Sequence, residues 1–305
     1  FHVKCARELD DNSPSKSDRK DPKTIAMLVK DGRYRDVYIP VDAYQELREF
    51  VCERERLQER LGSLKNQIVR WLDIYFPEFT TIFKDWSKQA AWLTLRHFST
   101  PQKVVEAGAQ EILRTWREEM KRPSLKRAER LCLVASQSIG RTAGTRASIQ
   151  SLQFLMTEYE LIKMRLESLK KQMAECLSQI PNACHLLAIK GIGVVAAAII
   201  VSEIGDISRF TDARQLIKYA GLNLRENSSG MHKGKTTISK RGRRRLRHGL
   251  FQAMIPILAT NIEFRALHKR NTTRLQNPLT KMQSLTALCG KLLRVTFALL
   301  TKGIA

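Results

Sequence analysis

The stretch Leu57-Gln58-Glu59-Arg60-Leu61-Gly62-Ser63-Leu64, continued to Tyr75, places an apolar residue alternately every three and every four positions. This spacing is typical of one face of a helix with a near-heptad seam. The seam begins before this stretch, is interrupted at Arg54 and ends before Pro77. Its members are Tyr44, Leu47, Val51, Leu57, Leu61, Leu64, Ile68, Trp71 and Tyr75. The sequence therefore predicts one long amphipathic helix.

A second seam of the same kind ends before Pro181. Its members are Ile149, Leu152, Met156, Tyr159, Leu166, Leu169, Met173, Cys176 and Ile180. Two equivalent seams along one chain predict an antiparallel coiled-coil pair within residues 41–180. Proline and glycine break the segment between them into short amphipathic helices, so residues 78–146 are predicted to form a helical insert.

Residues 1–40 have a mixed pattern. Phe1-His2-Val3 reads as the end of a strand, and a polar loop follows it. Asp21-Pro22 is typical of a helix start, because a capping carboxylate precedes a proline at the first helical position. We predict a helix from there through Val29.

The charge of the chain limits the classes of partner. It contains 53 Lys and Arg against 30 Asp and Glu, a formal charge of +23. Such an excess indicates a polyanionic partner, and nucleic acid is favoured over an anionic membrane surface. The longest apolar run, Val194 to Val201, is too short to span a bilayer, so no membrane partner is expected. The six cysteines are scattered, which argues against a zinc site or a disulfide framework.

The last third contains a Gly-x-Gly turn, Lys190-Gly191-Ile192-Gly193, ahead of an apolar helix. Such a turn between two helices is typical of helix-hairpin-helix modules, in which glycine lets the backbone approach a DNA phosphate. Lys190, Gly191 and Gly193 are therefore candidate nucleic-acid contacts. The alternative is a tight turn inside a helical core.

The densest charge lies between Arg225 and His248. This segment contains nine Lys and Arg and a single acidic residue, Glu226, which gives a local charge of +8. The cations are Arg225, Lys233, Lys235, Lys240, Arg241, Arg243, Arg244, Arg245 and Arg247. We predict a loop that becomes a helix near Gly242. The glycines and hydroxyls within it favour phosphate contact over a merely solvated basic face.

Two sets of residues in the chain are able to carry chemistry. Asp18 and Asp21 lie three residues apart at a helix start and could share a magnesium ion, although spacing alone favours ordinary helix capping. In Ser228-Ser229-Gly230, a hydroxyl surrounded by cations could attack a phosphate. The alternative is that this hydroxyl only hydrogen-bonds a phosphate or the loop backbone.

In order along the chain, these segments resemble the DEDD-type transposases of the insertion sequence 110 family. These are relatives of the Piv DNA invertases and include RNA-guided bridge recombinases. The resemblance rests on Ser15 to Asp21, Ile189 to Gly193, Glu203 to Asp206, Ala213 to Leu222, and Ser228-Ser229-Gly230 with Ile238 to Gly242. It covers nearly the whole chain.

The resemblance implies a mainly α fold in three parts. Residues 1–40 would be the C-terminal remnant of an RNase H/RuvC-like α/β domain, and residues 41–180 the coiled coil with its insert. Residues 181–305 would form a helical C-terminal transposase domain with the helix-hairpin-helix-like turn. The first acids of the family's metal-binding tetrad belong upstream of Phe1. We therefore expect the 305-residue chain to lack that part of the domain and, alone, to lack strand-exchange activity.

The resemblance also implies a function. Ser229 would be the nucleophile of a DNA recombinase, and Asp18 and Asp21 would bind Mg²⁺ as the last two acids of the tetrad. A structured guide RNA would select donor and target DNA, and the protein would act as a dimer or tetramer. A cytoplasmic, nucleoid-associated location in a bacterium or archaeon follows. Ser228 and Ser239 are the alternative nucleophiles, and a non-catalytic nucleic-acid-binding protein is the alternative function.

Overall fold

The computed structural model describes residues 3, 5–6, 20–34, 37–225, 228–229, 232–234 and 236–303, and for residues 20, 145, 228–229 and 232–233 the backbone alone. The chain divides into two units, Phe1–Val41 and Asp42–Ala305. The α-helices are α1 (Lys20–Lys30), α2 (Asp42–Tyr75), α3 (Phe79–Ile82), α4 (Gln89–His97), α5 (Pro101–Glu119), α6 (Leu125–Ser136), α7 (Thr145–Gln179), α8 (Val194–Ile204), α9 (Ala213–Tyr219), α10 (Arg244–Thr260), α11 (Ile262–Thr273) and α12 (Lys281–Lys302). The prediction of a mainly α fold is confirmed.

The first unit contains α1. Asp21 lies in its first turn with Pro22 beside it, so this helix starts two residues before Pro22, the predicted first helical position. The predicted strand is wrong at Val3, whose backbone is helical, while Phe1 and His2 lie outside the described residues. A strand needs a neighbouring strand to pair its backbone groups. The described part of this unit contains no strand.

Helices α2 and α7 run antiparallel along most of their length. Near one end of the pair, the Cys176 thiol donates a hydrogen bond to the Ala43 carbonyl oxygen at 3.1 Å. Near the other, Trp71 Nε1 donates to the Ser148 carbonyl oxygen at 2.8 Å. From one contact to the other, α2 advances 28 residues and α7 retreats 28, so the register is kept along the pair.

Two hydrophobic cores meet near Arg54, the residue that interrupts the first seam. Leu47 and Val51 belong to the C-terminal core, whereas Leu57 and the later seam residues belong to a core shared with the insert. Arg54 is partly buried between them, and this burial lowers the pKa of its guanidinium. The charged interruption in the sequence therefore marks the boundary between the two cores.

The insert consists of α3 to α6 and is fixed to the end of α2. Glu78 accepts hydrogen bonds from the Ser138 hydroxyl at 2.5 Å and from the Ile139 amide at 2.9 Å. A Cβ at Gly140 would lie 2.2 Å from the Tyr75 carbonyl oxygen. Only glycine allows the chain to leave the insert this close to α2.

The C-terminal core packs α8 to α12 against the first turns of α2 and the last turns of α7. Among the described residues, α12 is the one helix long and apolar enough to cross a membrane. However, Leu288 and Leu293 of this helix lie in the C-terminal core. Ser284 of the same helix is also buried. This is the packing expected of a core helix.

Candidate nucleic-acid interface

The first part of the basic segment, predicted to be a loop, forms paired strands, and the predicted helix follows it from Arg244. Strand β1 (Leu224–Arg225) pairs antiparallel with β4 (Thr237–Ile238), and β2 (Ser228–Ser229) pairs with β3 (His232–Lys233). Ser229 pairs with His232, so Ser229 is the last β2 residue before the tip of the hairpin. The register differs by one residue between the two strand pairs.

Hydrogen bonds between its two ends close the base of the hairpin. The Ser239 amide donates to the Asn223 carbonyl oxygen at 2.8 Å, and their side chains bond at 2.6 Å. The Lys240 amide donates to the Gly221 carbonyl oxygen at 3.0 Å. A Cβ at Gly242 would lie 2.4 Å from the Tyr219 carbonyl oxygen, so glycine is required where the two ends cross. These contacts fix both ends of the hairpin on the helical core.

A buried carboxylate lies beneath this base. The Glu203 side chain is only 2% exposed, and its Oε2 lies 3.9 Å from Arg243 Nη1 without accepting a hydrogen bond. Arg243 Nε donates to the Tyr219 hydroxyl at 2.9 Å, and that hydroxyl donates to the Glu203 carbonyl oxygen at 3.3 Å. A buried charge needs a nearby opposite charge, and Arg243 supplies it. Glu203, Tyr219 and Arg243 therefore join α8, α9 and the start of α10.

The structural role of Glu203 was not predicted, although the sequence carries a signal for it. It is the one charged residue in the otherwise apolar helix α8, and acidic side chains are rarely buried unless they are paired. Its partner, Arg243, belongs to the basic segment between Arg225 and His248.

The cations predicted to bind nucleic acid differ in their contacts and in their exposure. Arg243, Arg245 and Arg247 make contacts within the protein. Arg245 pairs with Glu55 at 3.2 Å, and Arg247 Nη1 donates to the Ala220 carbonyl oxygen at 2.9 Å. The described cations of the segment that are exposed are Arg225, Lys240, Arg241, Arg244 and Arg245. The side chain of Lys233 and all of Lys235 lie outside the described residues.

The Gly-x-Gly turn lies at the other end of α10. A Cβ at Gly191 would lie 2.6 Å from the Ile257 Cα and 2.8 Å from the Thr260 Oγ1, and φ there is +103°. Gly191 is therefore required by packing against α10, which is the alternative that Sequence analysis left open for this residue. Gly193 and Lys190 are exposed, and a Cβ at Gly193 would meet open space. From Arg244 to Ile257, α10 rises about 20 Å, so the structure separates this turn from the hairpin base.

The predicted metal pair is described only at Asp21, because Asp18 lies outside the described residues. Across the described ranges, no three His, Cys, Asp or Glu side chains lie close enough together to hold a metal ion. Asp21 is partly exposed in the first turn of α1, where a carboxylate also stabilises the helix dipole.

Two segments of this chain match family models of transposases. Residues 183–269 match the model described as transposase IS116/IS110/IS902 family, and residues 1–77 match a transposase model of the DEDD IS110 type. Together these matches cover more than half of the chain. The chain belongs to the IS110 family of transposases. In this IS110-family chain, the hairpin, Glu203 and the Gly-x-Gly turn fall within the first match, and the insert lies outside both.

Individual relatives agree with this assignment. The pilin gene-inverting protein of Moraxella bovis is 33% identical over 135 residues, covering 43% of this chain and 41% of the relative. An IS110 protein of Streptomyces coelicolor is 22% identical over 292 residues, covering 95% and 71%. The IS1328 transposase of Yersinia enterocolitica is 28% identical over 161 residues, covering 51% and 46%. The chain thus spans less than half the length of the Moraxella and Yersinia relatives.

Proposed function

We propose that this IS110-family chain acts in DNA transposition or site-specific recombination, with Ser229 as the nucleophile. The observation that carries the proposal is the position of Ser229 beside the tip of a cationic hairpin. The base of that hairpin is anchored on the helical core through Glu203, Tyr219 and Arg243. A nucleophile on a rigidly anchored element can be held at a phosphate while the exposed cations neutralise the backbone.

In the proposed reaction, the Ser229 hydroxyl oxygen attacks a DNA phosphorus atom. An oxygen–phosphorus bond to serine forms as the bond from phosphorus to one deoxyribose oxygen breaks. The serine proton ends on the departing deoxyribose oxygen, which leaves as a hydroxyl, so the number of phosphoesters is unchanged. A hydroxyl of another strand then reverses the step, which releases Ser229 and joins the new strand.

The experiment is covalent trapping on DNA that carries a site the protein cleaves. We expect wild type and Ser228→Ala to form a protein–DNA adduct that survives denaturation, and Ser229→Ala to form none while retaining DNA. Ser228→Ala is the matched control, since it removes a neighbouring hydroxyl from the same strand. An adduct mapped by mass spectrometry to Ser228 or Ser239 would remove Ser229 from the mechanism.

Magnesium dependence is part of the proposal, with Asp18 and Asp21 as ligands. Mg²⁺ takes oxygen ligands and usually keeps several waters, so two carboxylates with DNA phosphate would suit it, whereas Asp21 alone does not make a site. When bound, the ion would polarise a phosphate oxygen. In titration calorimetry, the heat of Mg²⁺ binding should disappear in Asp21→Asn. It should persist in Asp31→Asn, which removes the charge of a nearby exposed carboxylate. Unchanged heat in Asp21→Asn would exclude Asp21 as a ligand.

A second copy of the chain is the proposed protein partner. Phe154, Leu161 and Met164 lie on one side of α7 and are 66%, 41% and 63% exposed. Apolar residues seven positions apart on an exposed helix face are typical of a coiled-coil contact. Light scattering should give a dimer or tetramer for wild type and a smaller species for Phe154→Glu with Leu161→Glu. A monomeric wild-type protein would contradict this part.

Selection of DNA by a structured guide RNA is also proposed, on the resemblance and the charge of +23. A specific RNA should be retained with a steep salt dependence and should be required for adduct formation. The alternative function is a non-catalytic nucleic-acid binder. It is favoured if nucleic acid is retained but no adduct forms under any of these conditions.

A further inference from the structure

A second concentration of positive charge lies on α11 and on its connection to α12. Between residues 265 and 281 there are five Lys and Arg and neither Asp nor Glu. These cations are Arg265, Lys269, Arg270, Arg274 and Lys281, and all are exposed. Neither the predicted site residues nor the resemblance assigns a role to this surface.

No ion pair compensates these charges within the part of the chain that the structure describes. Arg265 donates to the Leu258 carbonyl oxygen at 3.1 Å and also to the Ala259 carbonyl oxygen, at the end of α10. Arg274 Nε donates to the Asn277 carbonyl oxygen at 2.6 Å. Both guanidinium groups are therefore oriented by neutral partners and keep an uncompensated charge. By contrast, Arg60 of α2 pairs with Glu158 of α7.

The same end of α10 carries the Gly-x-Gly turn. Gly191 packs on Ile257 and close to Thr260, and Arg265 binds carbonyl groups of the same final turn. Lys190 and Arg265 therefore lie near one end of α10, about 20 Å from the hairpin base at the other end. The remaining cations follow Arg265 along α11 and its connection to α12. Since both sets belong to the second compact unit, this separation is fixed by a single helix.

We propose that Lys190, Arg265, Lys269, Arg270, Arg274 and Lys281 form a distal basic surface that binds the phosphate backbone of duplex DNA. The proposal rests on the DNA function proposed above and adds a second place of contact to it. Arg265 and Lys269 are one helical turn apart, about 6 Å along α11. With a rise of about 3.4 Å per base pair, 20 Å corresponds to roughly six base-pair steps, so one turn of duplex is long enough to span both surfaces.

The test compares three variants of equal charge loss, using duplex DNA of about three helical turns. The distal variant carries Lys190→Gln, Lys269→Gln and Lys281→Gln, which remove exposed lysines without breaking a hydrogen bond or ion pair in the described structure. The hairpin variant carries Arg225→Gln, Lys240→Gln and Arg244→Gln. The control carries Lys163→Gln, Lys170→Gln and Lys171→Gln on α7. The dissociation constant is measured over a range of salt concentrations.

We expect the distal variant to bind DNA about tenfold or more weakly at low salt. Its plot of log affinity against log salt should be shallower by about 2 to 3, because each phosphate that is no longer neutralised reduces the slope by about 0.9. The control should keep the wild-type slope to within about 1. Because the surfaces are separate, the distal and hairpin reductions in log affinity should add in the combined variant.

Each contrary outcome has a distinct meaning. Wild-type binding by the distal variant, with weaker binding by the hairpin variant, overturns the distal surface and leaves the proposed function intact. Wild-type DNA binding by both variants contradicts the proposed function itself. Parallel measurements use a hairpin RNA and vesicles of anionic lipid. If the distal variant binds either of these more weakly but binds DNA like wild type, the assignment to DNA is overturned.

Discussion

The Glu203 carboxylate lies 3.9 Å from the Arg243 guanidinium, beneath the hairpin that carries Ser229. Glu203 ends a buried apolar helix, whereas Arg243 is about one-third exposed at the start of the basic helix α10. The same arginine donates to the Tyr219 hydroxyl. One cation from the segment predicted to bind nucleic acid therefore stabilises the protein core, and we expect its loss to alter folding more than nucleic-acid binding.

Arg243→Ala should lower the free energy of unfolding by about 2 kcal/mol, because it leaves a buried carboxylate without its counter-charge. Arg244→Ala, which removes a neighbouring exposed cation, should change it by less than about 0.5 kcal/mol. Urea unfolding measures both. A second variant, Arg243→Lys, should recover part of the loss because it restores the charge. Equal stability of the two alanine variants would contradict the role of the Glu203–Arg243 pair.

Gly191→Ala should destabilise the C-terminal core by about 2 kcal/mol or more, because its Cβ would meet the α10 backbone and φ is positive. Gly193→Ala is the matched control two residues away, where a Cβ meets nothing and φ is −96°. We expect a change of about 0.5 kcal/mol there. Thermal unfolding of the two variants distinguishes packing against α10 from general sensitivity of the turn.

The sequence indicates the helical pair and its cores, because the burial of the two apolar seams determines both. The interruption at Arg54 even marks where one core ends. The hairpin could not be predicted, since strands of two residues are too short to show an alternating apolar pattern. Pairing across the hairpin depends on the anchored base, which includes the contact of Arg243 with Tyr219 from a different segment.

The candidate site illustrates the same limit. Sequence alone groups cations by their density along the chain, whereas the structure assigns Arg243, Arg245 and Arg247 to contacts within the protein. The Gly-x-Gly turn and Arg243 are about fifty residues apart in sequence and lie at opposite ends of α10. Only the three-dimensional arrangement shows which of these cations pair with groups of the protein itself.

Cys289 should resist alkylation in the folded protein. Burial raises the pKa of its thiol to about 12, so the reactive thiolate is absent near pH 8. Cys184 is exposed and should react readily under the same conditions. Because the folded pKa lies above the unfolded value of about 8.5, the stabilising contribution is complete below pH 8.5 and is lost as pH rises toward 12. Mass spectrometry of iodoacetamide-treated protein, with and without urea, checks the difference.

Glu78→Gln should loosen the junction of the insert with α2 and lower the free energy of unfolding by about 1 kcal/mol. Burial favours the neutral acid, yet the hydrogen bonds from Ser138 and Ile139 outweigh it and hold the pKa of Glu78 below its usual value. A depressed folded pKa gives stability that is present above the unfolded pKa of about 4.3 and is lost as pH falls through the folded value. The difference between wild type and variant should therefore shrink below about pH 4. Urea unfolding at several pH values tests this, with Glu106→Gln, at an exposed position, as the control. A difference in unfolding free energy that does not change with pH would show that the charge of Glu78 is not what stabilises the junction.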